Sequence, residues 1–281
     1  FTTTANGTRV RFDRLNPAPF SIDIGTSENL VLNANGGDDS FSATGNLAAL
    51  LKITVDGGTG NDQLLGSNGI DVLLGGDGND FVDGQQGNDV AFLGAGDDTF
   101  QWDPGDGSDI VEGQDGSDKL LFNGSAANER MEASANGGRV TFFRNIANVT
   151  MDNNDVERIQ FNALGGVDNI TVNDLSGTDT TDVAINLANN AGVGDGAVDT
   201  VTANGTSGDD TVIVFASGSD AQVLGLAASV SVTGVEMQDF IVVQGVEGND
   251  VIDGSIGLAD SAMLVLVGDE GDDILIGGAA D

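Results

Sequence analysis

Single hydrophobic residues recur at nine-residue intervals through the middle of the chain, between polar stretches rich in Gly, Asn and Asp. Six such polar residues form a turn, and the three residues that follow form a very short strand with one inward side chain. No 3.6-residue period persists along the chain, so the pattern predicts strands rather than helices. The recurring hydrophobic positions are Leu64, Leu73, Val82, Ala91, Phe100, Val111 and Leu120.

A nine-residue unit of this kind is too small to bury a face alone, but stacked units can bury one apolar side chain each. We therefore predict an all-β parallel β-solenoid with two units per coil and about 4.8 Å between coils. The turn aspartates keep the register, with a two-residue insertion at 102–103: Asp62, Asp71, Asp80, Asp89, Asp98, Asp109 and Asp118. The accompanying turn glycines are Gly57, Gly60, Gly66, Gly69, Gly75, Gly78, Gly87, Gly96, Gly107 and Gly116.

A longer repeat is superimposed on the nine-residue one, because similar segments begin near residues 5, 135 and 215. We predict β-helix-like modules at 1–56, 123–214 and 215–281, with the strict repeats at 57–122. Outside those repeats we expect coils of a right-handed parallel β-helix, and we expect all four segments to form one continuous rod. The alternative is a set of separate lobes joined end to end. Isolated turns of the same kind add Asp250, Gly271 and Asp273, and weaker candidates are Asp39, Asp168 and Asp210.

Composition excludes several kinds of chemistry. The chain has no Cys and no His, which removes thiol and imidazole catalysis and the usual zinc, haem and iron–sulfur ligands. Its 45 acidic and 9 basic residues give a net charge of -36. This charge argues against nucleic acid and anionic membranes as partners. No apolar run is long enough to predict a transmembrane helix or membrane insertion.

The register of the aspartates creates a problem that a cation solves. Alternate units stack on one side, so Asp62, Asp80 and Asp98 follow one edge, and Asp71 and Asp89 the other. Carboxylates about 4.8 Å apart repel by about 3.5 kcal/mol at an effective dielectric of 20. Ca²⁺ suits Gly-rich turns, since it accepts six to eight oxygens in flexible geometry. We expect about four to eight ions.

The units GGTGNDQLL (57–65) and GGDGNDFVD (75–83) resemble the RTX (repeats-in-toxin, haemolysin-type) calcium-binding nonapeptide G-G-x-G-x-D-x-U-x. The resemblance implies a parallel β-roll in which the motif Asp and turn carbonyls of two neighbouring coils bind Ca²⁺. It also implies type I secretion and folding outside a bacterial cell. The insertion at 102–103 puts in doubt any ion shared by the Asp98 and Asp109 units.

The hypothesis is a calcium-stabilised extracellular rod that serves as a filament, surface-layer or adhesin segment and is not an enzyme. The alternatives are a polysaccharide-acting β-helix enzyme and a carbohydrate- or ice-binding module. We expect neighbouring copies or a continuation of the array as partners, with 277–281 starting a further unit. Two side-chain expectations follow: Trp102 is a buried plug rather than a sugar platform, and Arg9, Arg139 and Arg144 pair with Asp.

Overall fold

The computed structural model of the chain describes residues 1–256 and 262–278, and almost all of its regular structure is β-strand. The first thirteen strands are β1 (Thr2–Asn6), β2 (Arg9–Arg14), β3 (Phe20–Ile24), β4 (Asn29–Asn33), β5 (Ser40–Thr44), β6 (Lys52–Thr59), β7 (Gln63–Leu65), β8 (Val72–Asp77), β9 (Phe81–Asp83), β10 (Val90–Gly96), β11 (Thr99–Trp102), β12 (Ile110–Gly116) and β13 (Lys119–Asn123).

The second half of the chain continues in the same way, with a single 3-10 turn, η1 (Ile146–Asn148), among the described residues. Its strands are β14 (Arg130–Asn136), β15 (Arg139–Arg144), β16 (Val149–Asn154), β17 (Arg158–Leu164), β18 (Asn169–Val172), β19 (Asp182–Asn189), β20 (Thr200–Asn204), β21 (Thr211–Ser217), β22 (Asp220–Leu224), β23 (Ser229–Thr233), β24 (Phe240–Gln244), β25 (Val251–Ile256), β26 (Met263–Val267) and β27 (Ile274–Ile276). The part of the chain that the structure describes has no helix able to cross a membrane.

The chain divides into two compact units, Phe1–Leu121 with Thr150–Val156, and Phe122–Val149 with Glu157–Asp281. In the first unit one sheet has the order β4-β6-β8-β10-β12-β16 and the other β3-β2-β1-β5-β7-β9-β11. In the second unit the orders are β15-β14-β18-β20-β24-β26 and β17-β19-β23-β22-β21-β25-β27. Outside the antiparallel neighbours β1–β2–β3, β14–β15 and β21–β22–β23, adjacent strands in these orders are separated by a crossover to the opposite sheet, which is the topology of a solenoid.

The nonapeptide strands pair in parallel and in the predicted register. Leu64 lies opposite Val82, and Val82 lies opposite Phe100. On the other sheet Leu73 lies opposite Ala91, which lies opposite Val111. All seven predicted inward positions, including Leu120, are fully buried. The predicted fold class, an all-β parallel solenoid, is confirmed.

The antiparallel hairpins were not predicted. β1–β2, β14–β15 and β21–β22 are each joined by two residues, and the first of these is a glycine with φ near +67°: +66° at Gly7, +68° at Gly137 and +67° at Gly218. A glycine adopts this left-handed backbone without a Cβ clash, so it suits a tight hairpin. These hairpins mark the starts of the three long repeats, where parallel β-helix coils were expected. The four predicted segments and the continuous rod stay predictions.

Leu73→Ala should destabilise the solenoid by about 2–5 kcal/mol, because it removes a fully buried side chain between stacked coils. The matched control is Ile70→Ala, since Ile70 is 59% exposed in the preceding turn. Urea unfolding in calcium-containing buffer measures both. Equal losses for the two variants would contradict the inward packing of the nonapeptide strands.

Candidate metal centre

Each nonapeptide turn ends on an aspartate that immediately precedes a strand, and the stacked coils bury its carboxylate. Asp80, for example, precedes β9 and is 3% exposed. The buried predicted ligands are Asp62, Asp71, Asp80, Asp89, Asp98, Asp109, Asp118, Asp168 and Asp250. The remaining predicted ligands, Asp39, Asp210 and Asp273, are partly buried. Burial of so many carboxylates requires partners for their charge.

The motif aspartates form hydrogen-bonded ladders along the stack. The peptide N–H of Asp62 donates to Asp80 Oδ1 at 2.7 Å, and the N–H of Asp80 donates to Asp98 Oδ1 at 2.6 Å. On the opposite edge the N–H of Asp71 donates to Asp89 Oδ1 at 2.8 Å. The two edges are those that the nine-residue register predicts.

The insertion at 102–103 leaves both ladders intact. Across it the N–H of Asp89 donates to Asp109 Oδ1 at 2.8 Å, and the N–H of Asp98 donates to Asp118 Oδ1 at 2.9 Å. Asp98 and Asp109 therefore belong to different ladders and are not stacked on each other. Trp102 beside the insertion is fully buried, and its indole N–H donates to Gly107 O at 2.8 Å.

The second carboxylate oxygen is the informative one. The ladder uses Oδ1, and several Oδ2 atoms are buried with no hydrogen-bond partner within residues 1–256 and 262–278. They belong to Asp62, Asp80, Asp89, Asp98, Asp168 and Asp250. Unpaired buried polar atoms are rare in proteins because each costs a desolvation penalty. A repeated set of them indicates a ligand that lies against the carboxylates.

The first glycine of the turn completes the geometry. A Cβ at Gly57 would overlap Asp62 Oδ2 and lie 2.6 Å from the carbonyl oxygen of Gly75 in the next coil. A Cβ at Gly75 would likewise overlap Asp80 Oδ2 and the carbonyl oxygen of Leu93. We call this space the oxygen cradle. It is bounded by the first turn residue, the carboxylate of the motif acid and the carbonyl oxygen of the next coil.

The glycine at the fourth position of the turn supplies the backbone bend. Its φ lies between +124° and +149°, a conformation that side chains rarely adopt, at Gly60, Gly78, Gly87, Gly96, Gly116 and Gly271. The predicted Gly69 and Gly107 occupy the same turn position, against Ala48 and Gly87. Gln85 and Gln114, at the second position, keep a left-handed backbone with φ of +63° and +77°.

The donor set consists of oxygen atoms. Within the described ranges no three His, Cys, Asp or Glu side chains come together to hold a metal, so peptide carbonyls must supply the remaining ligands. Carboxylate and carbonyl oxygens in flexible, Gly-rich turns suit Ca²⁺ better than Mg²⁺ or a transition metal. The unpaired Oδ2 atoms and the oxygen cradles therefore fit calcium.

Burial shifts the titration of these carboxylates. Desolvation is the main cause that raises the pKa of Asp80, to about 6, and the charges of Asp98 and Asp62 add to it. The hydrogen bond from the Asp62 N–H acts in the opposite direction. Burial, with Asp109 and Asp71 as neighbouring charges, raises the pKa of Asp89 to about 9. The pKa of Asp168 rises to about 8 for the same two reasons. A bound cation would reverse these shifts by favouring the ionised form.

Comparison with known families identifies these turns. The model of the RTX calcium-binding nonapeptide repeat matches residues 56–91, 65–100, 105–126, 242–257 and 265–281. This chain carries RTX calcium-binding nonapeptide repeats. The ion that they bind is Ca²⁺, so the family resemblance and the predicted cofactor are confirmed. The last two matches contain the isolated turns of Asp250 and Asp273. A comparison with curated proteins finds no match.

Two RTX-like turns differ in how the carboxylate is held. At the Gly66 turn, Ser67 N–H donates to Asp71 Oδ2 at 2.5 Å and Ser67 Oγ donates to Asp71 Oδ1 at 3.1 Å. At the Gly205 turn, Thr206 N–H and Oγ1 both donate to Asp210 Oδ2, at 2.7 and 3.1 Å. A hydroxyl residue at the second turn position thus satisfies the acid from within its own turn.

Further ladder members were missed by the sequence analysis. In the second unit Glu129 N–H donates to Asp168 Oδ1 at 2.8 Å, Asp168 N–H to Asp199 Oδ1 at 2.8 Å, and Asp199 N–H to Asp239 Oδ1 at 3.0 Å. A weak signal was present, since Glu129, Asp199 and Asp239 each directly precede a strand and follow a glycine by five residues. Of the predicted ligands in this unit, Asp250 N–H donates to Asp273 Oδ1 at 2.9 Å.

The metal-free protein should lose stability as the pH rises from about 5 to about 9. The folded pKa values of Asp80 and Asp89 lie above their ordinary value of 3.8, so the folded state holds more protons than the unfolded state over this range. With saturating Ca²⁺ the trend should reverse, because the ion binds the ionised carboxylates. Thermal unfolding at pH 5, 7 and 9, with and without Ca²⁺, measures the two slopes. Parallel slopes would contradict calcium binding at these carboxylates.

Proposed function

We propose that the chain is a calcium-stabilised structural segment of an extracellular protein: a rod that serves as a filament, surface layer or adhesin stalk. The supporting observation is the set of buried Oδ2 atoms that have no hydrogen-bond partner within the described ranges, of which those of Asp62, Asp80 and Asp250 face an oxygen cradle. Each ion in such a cradle would join two coils. Its binding free energy would therefore contribute directly to the stability of the stack.

This coupling supports an extracellular location. A chain whose buried carboxylates need Ca²⁺ would stay incompletely folded where calcium is scarce and would fold where it is plentiful. Proteins with RTX repeats are commonly exported by type I secretion, a route that suits a chain folding after export. We place the ions at the motif aspartates and at the carbonyls of the Gly-rich turns, with the isolated Asp39, Asp168 and Asp210 as weaker sites.

Further coils of the same array are the proposed partners. Leu275 in β27 occupies the place that Leu64 occupies in β7, and it is 44% exposed, whereas Leu64 is fully buried beneath the next coil. An additional coil, from a neighbouring copy or a continuation of the array, would cover it in the same way. Ala279–Asp281, which belong to the segment 277–281 predicted to start a further unit, lie outside the described residues.

A sugar-binding role for Trp102 has no support, since the only tryptophan of the chain is fully buried and its N–H is bonded to the backbone. The proposal assigns the chain no catalytic role. Turnover of a polysaccharide, lost on changing one pair of aspartates, would favour the enzyme alternative instead.

Calcium should raise the melting temperature strongly, and EDTA should lower it. One site at a hundredfold excess of ion over its Kd contributes about 2.7 kcal/mol, so several sites give a large shift. Mg²⁺ at the same concentration is the control and should stabilise far less, because it prefers a rigid octahedral shell with bound water. Differential scanning calorimetry provides the measurement, and a transition indifferent to EDTA would overturn the proposal.

Asp80→Asn should lower the number of bound Ca²⁺ ions by at least one and reduce the calcium-dependent rise in melting temperature. The variant keeps the shape of the buried side chain but removes the charge next to the oxygen cradle of Gly75. Asp77→Asn is the matched control, because Asp77 is exposed in the same turn and the change in net charge is identical. Calorimetric titration counts the ions. Equal losses in both variants would point to a general charge effect.

A further inference from the structure

The turn at 124–129 of the second unit has the nonapeptide arrangement without the nonapeptide sequence. It contains Gly124, and five residues later Glu129 stands directly before β14. The N–H of Glu129 donates to Asp168 Oδ1 at 2.8 Å, as a motif aspartate does to the next coil. No part of the matched RTX segments reaches Glu129, since the nearest one ends at residue 126.

This turn also has an oxygen cradle. A Cβ at Gly124 would lie 2.5 Å from Glu129 Oε2 and 3.0 Å from the carbonyl oxygen of Ala163 in the next coil. At Gly57 the same two kinds of atom, the acid oxygen of the turn and the carbonyl oxygen of the next coil, bound the cradle. The turn at 124–129 therefore places its carboxylate where the calcium-binding turns place theirs.

A guanidinium group lies against this carboxylate. Arg144, the last residue of β15, donates from Nε to Glu129 Oε1 at 2.9 Å, and its Nη2 contacts the same oxygen. Nη2 also lies 3.3 Å from Ser125 Oγ, which in turn donates to Glu129 Oε1 at 2.8 Å. The two charged side chains are 3% and 0% exposed. Arg144 thus pairs with Glu129 and not with the predicted aspartate.

We propose that Arg144 takes the place of a calcium ion in this turn. The inference rests on the proposed calcium sites of the other turns, where a buried carboxylate and a carbonyl of the next coil meet a cation. At Glu129 the positive charge comes from the protein itself, through the β14–β15 hairpin that carries Arg144 back to the turn. The longer Glu side chain reaches the guanidinium through Oε1, and the N–H of Ser125 donates to the remaining oxygen, Oε2, at 3.2 Å. The turn is consequently closed to calcium.

The proposal explains a combination of three departures from the repeat. Ser125 replaces the second glycine, Glu129 replaces the motif aspartate, and a hairpin brings a buried arginine. Ser67 and Thr206 show that a hydroxyl at the second position can bond the turn acid without an arginine. Only at Glu129 do the described residues add a buried counter-charge to that hydroxyl. This coil is therefore held by protein atoms when calcium is absent.

The test opens the turn to calcium in the full chain. Arg144→Met removes the charge but keeps much of the apolar stem, and it should increase the number of bound Ca²⁺ ions by one relative to the unmodified chain. Without calcium its melting temperature should fall below that of the unmodified chain, and saturating calcium should recover most of the difference. Arg14→Met is the matched control: Arg14 holds the same position in the first hairpin and bonds the carbonyl of Asn16, so its loss should leave the ion count unchanged.

A second variant covers the case in which Arg144→Met does not fold. The triple change Ser125→Gly, Glu129→Asp and Arg144→Met rebuilds a calcium-binding turn, and it should fold in calcium with one additional ion. An unchanged ion count in either folded variant, with no additional stabilisation by calcium, would overturn the inference. Failure of both variants to fold in saturating calcium would also overturn it. An unmodified chain that binds no calcium would instead overturn the proposed function, so the two failures are distinguishable.

Discussion

The fold depends on one recurring interaction, the hydrogen bond from the peptide N–H of a motif acid to a carboxylate oxygen in the next coil. It aligns each turn with its neighbour, and it places most carboxylates of the ladders inside the stack. The same contact uses only one oxygen of each acid, as at Asp80 and Asp98, where Oδ2 is left without a hydrogen bond from the described residues. The hydrogen bonds that stack the coils therefore also place a row of carboxylates in the interior.

The chain neutralises this charge in several ways. The turns 57–62, 75–80 and 245–250 leave an unpaired carboxylate oxygen facing an oxygen cradle suited to calcium. The turns of Ser67 and Thr206 supply a hydroxyl and a peptide N–H instead. At Glu129 a buried arginine is added. With ions at the proposed sites, these arrangements would divide the array into coils that depend on metal and coils that depend on protein contacts.

Such a division has a physical consequence for folding. A buried carboxylate with no cation is better tolerated when it is protonated, which is why burial raises the pKa of Asp89 so far. With ions at the proposed sites, metal binding and coil stacking would be a single event in the repeat region. A coil with its own counter-charge can form independently of the ion supply and can offer an ordered edge to the next coil. This behaviour suits a protein that folds after it reaches a calcium-rich environment.

The sequence by itself determined the nonapeptide region. A fixed nine-residue period specifies which residues lie above one another, so the inward stack of Leu64, Val82 and Phe100 followed from spacing alone. The hairpins were missed although Gly7 and Gly137 follow asparagines in typical hairpin turns, because local turn chemistry does not reveal which strands pair. Contacts such as Arg144 with Glu129, or Glu129 with Asp168, were decided only by tertiary structure. Their coils differ in length, so no constant spacing indicates which residues meet across them.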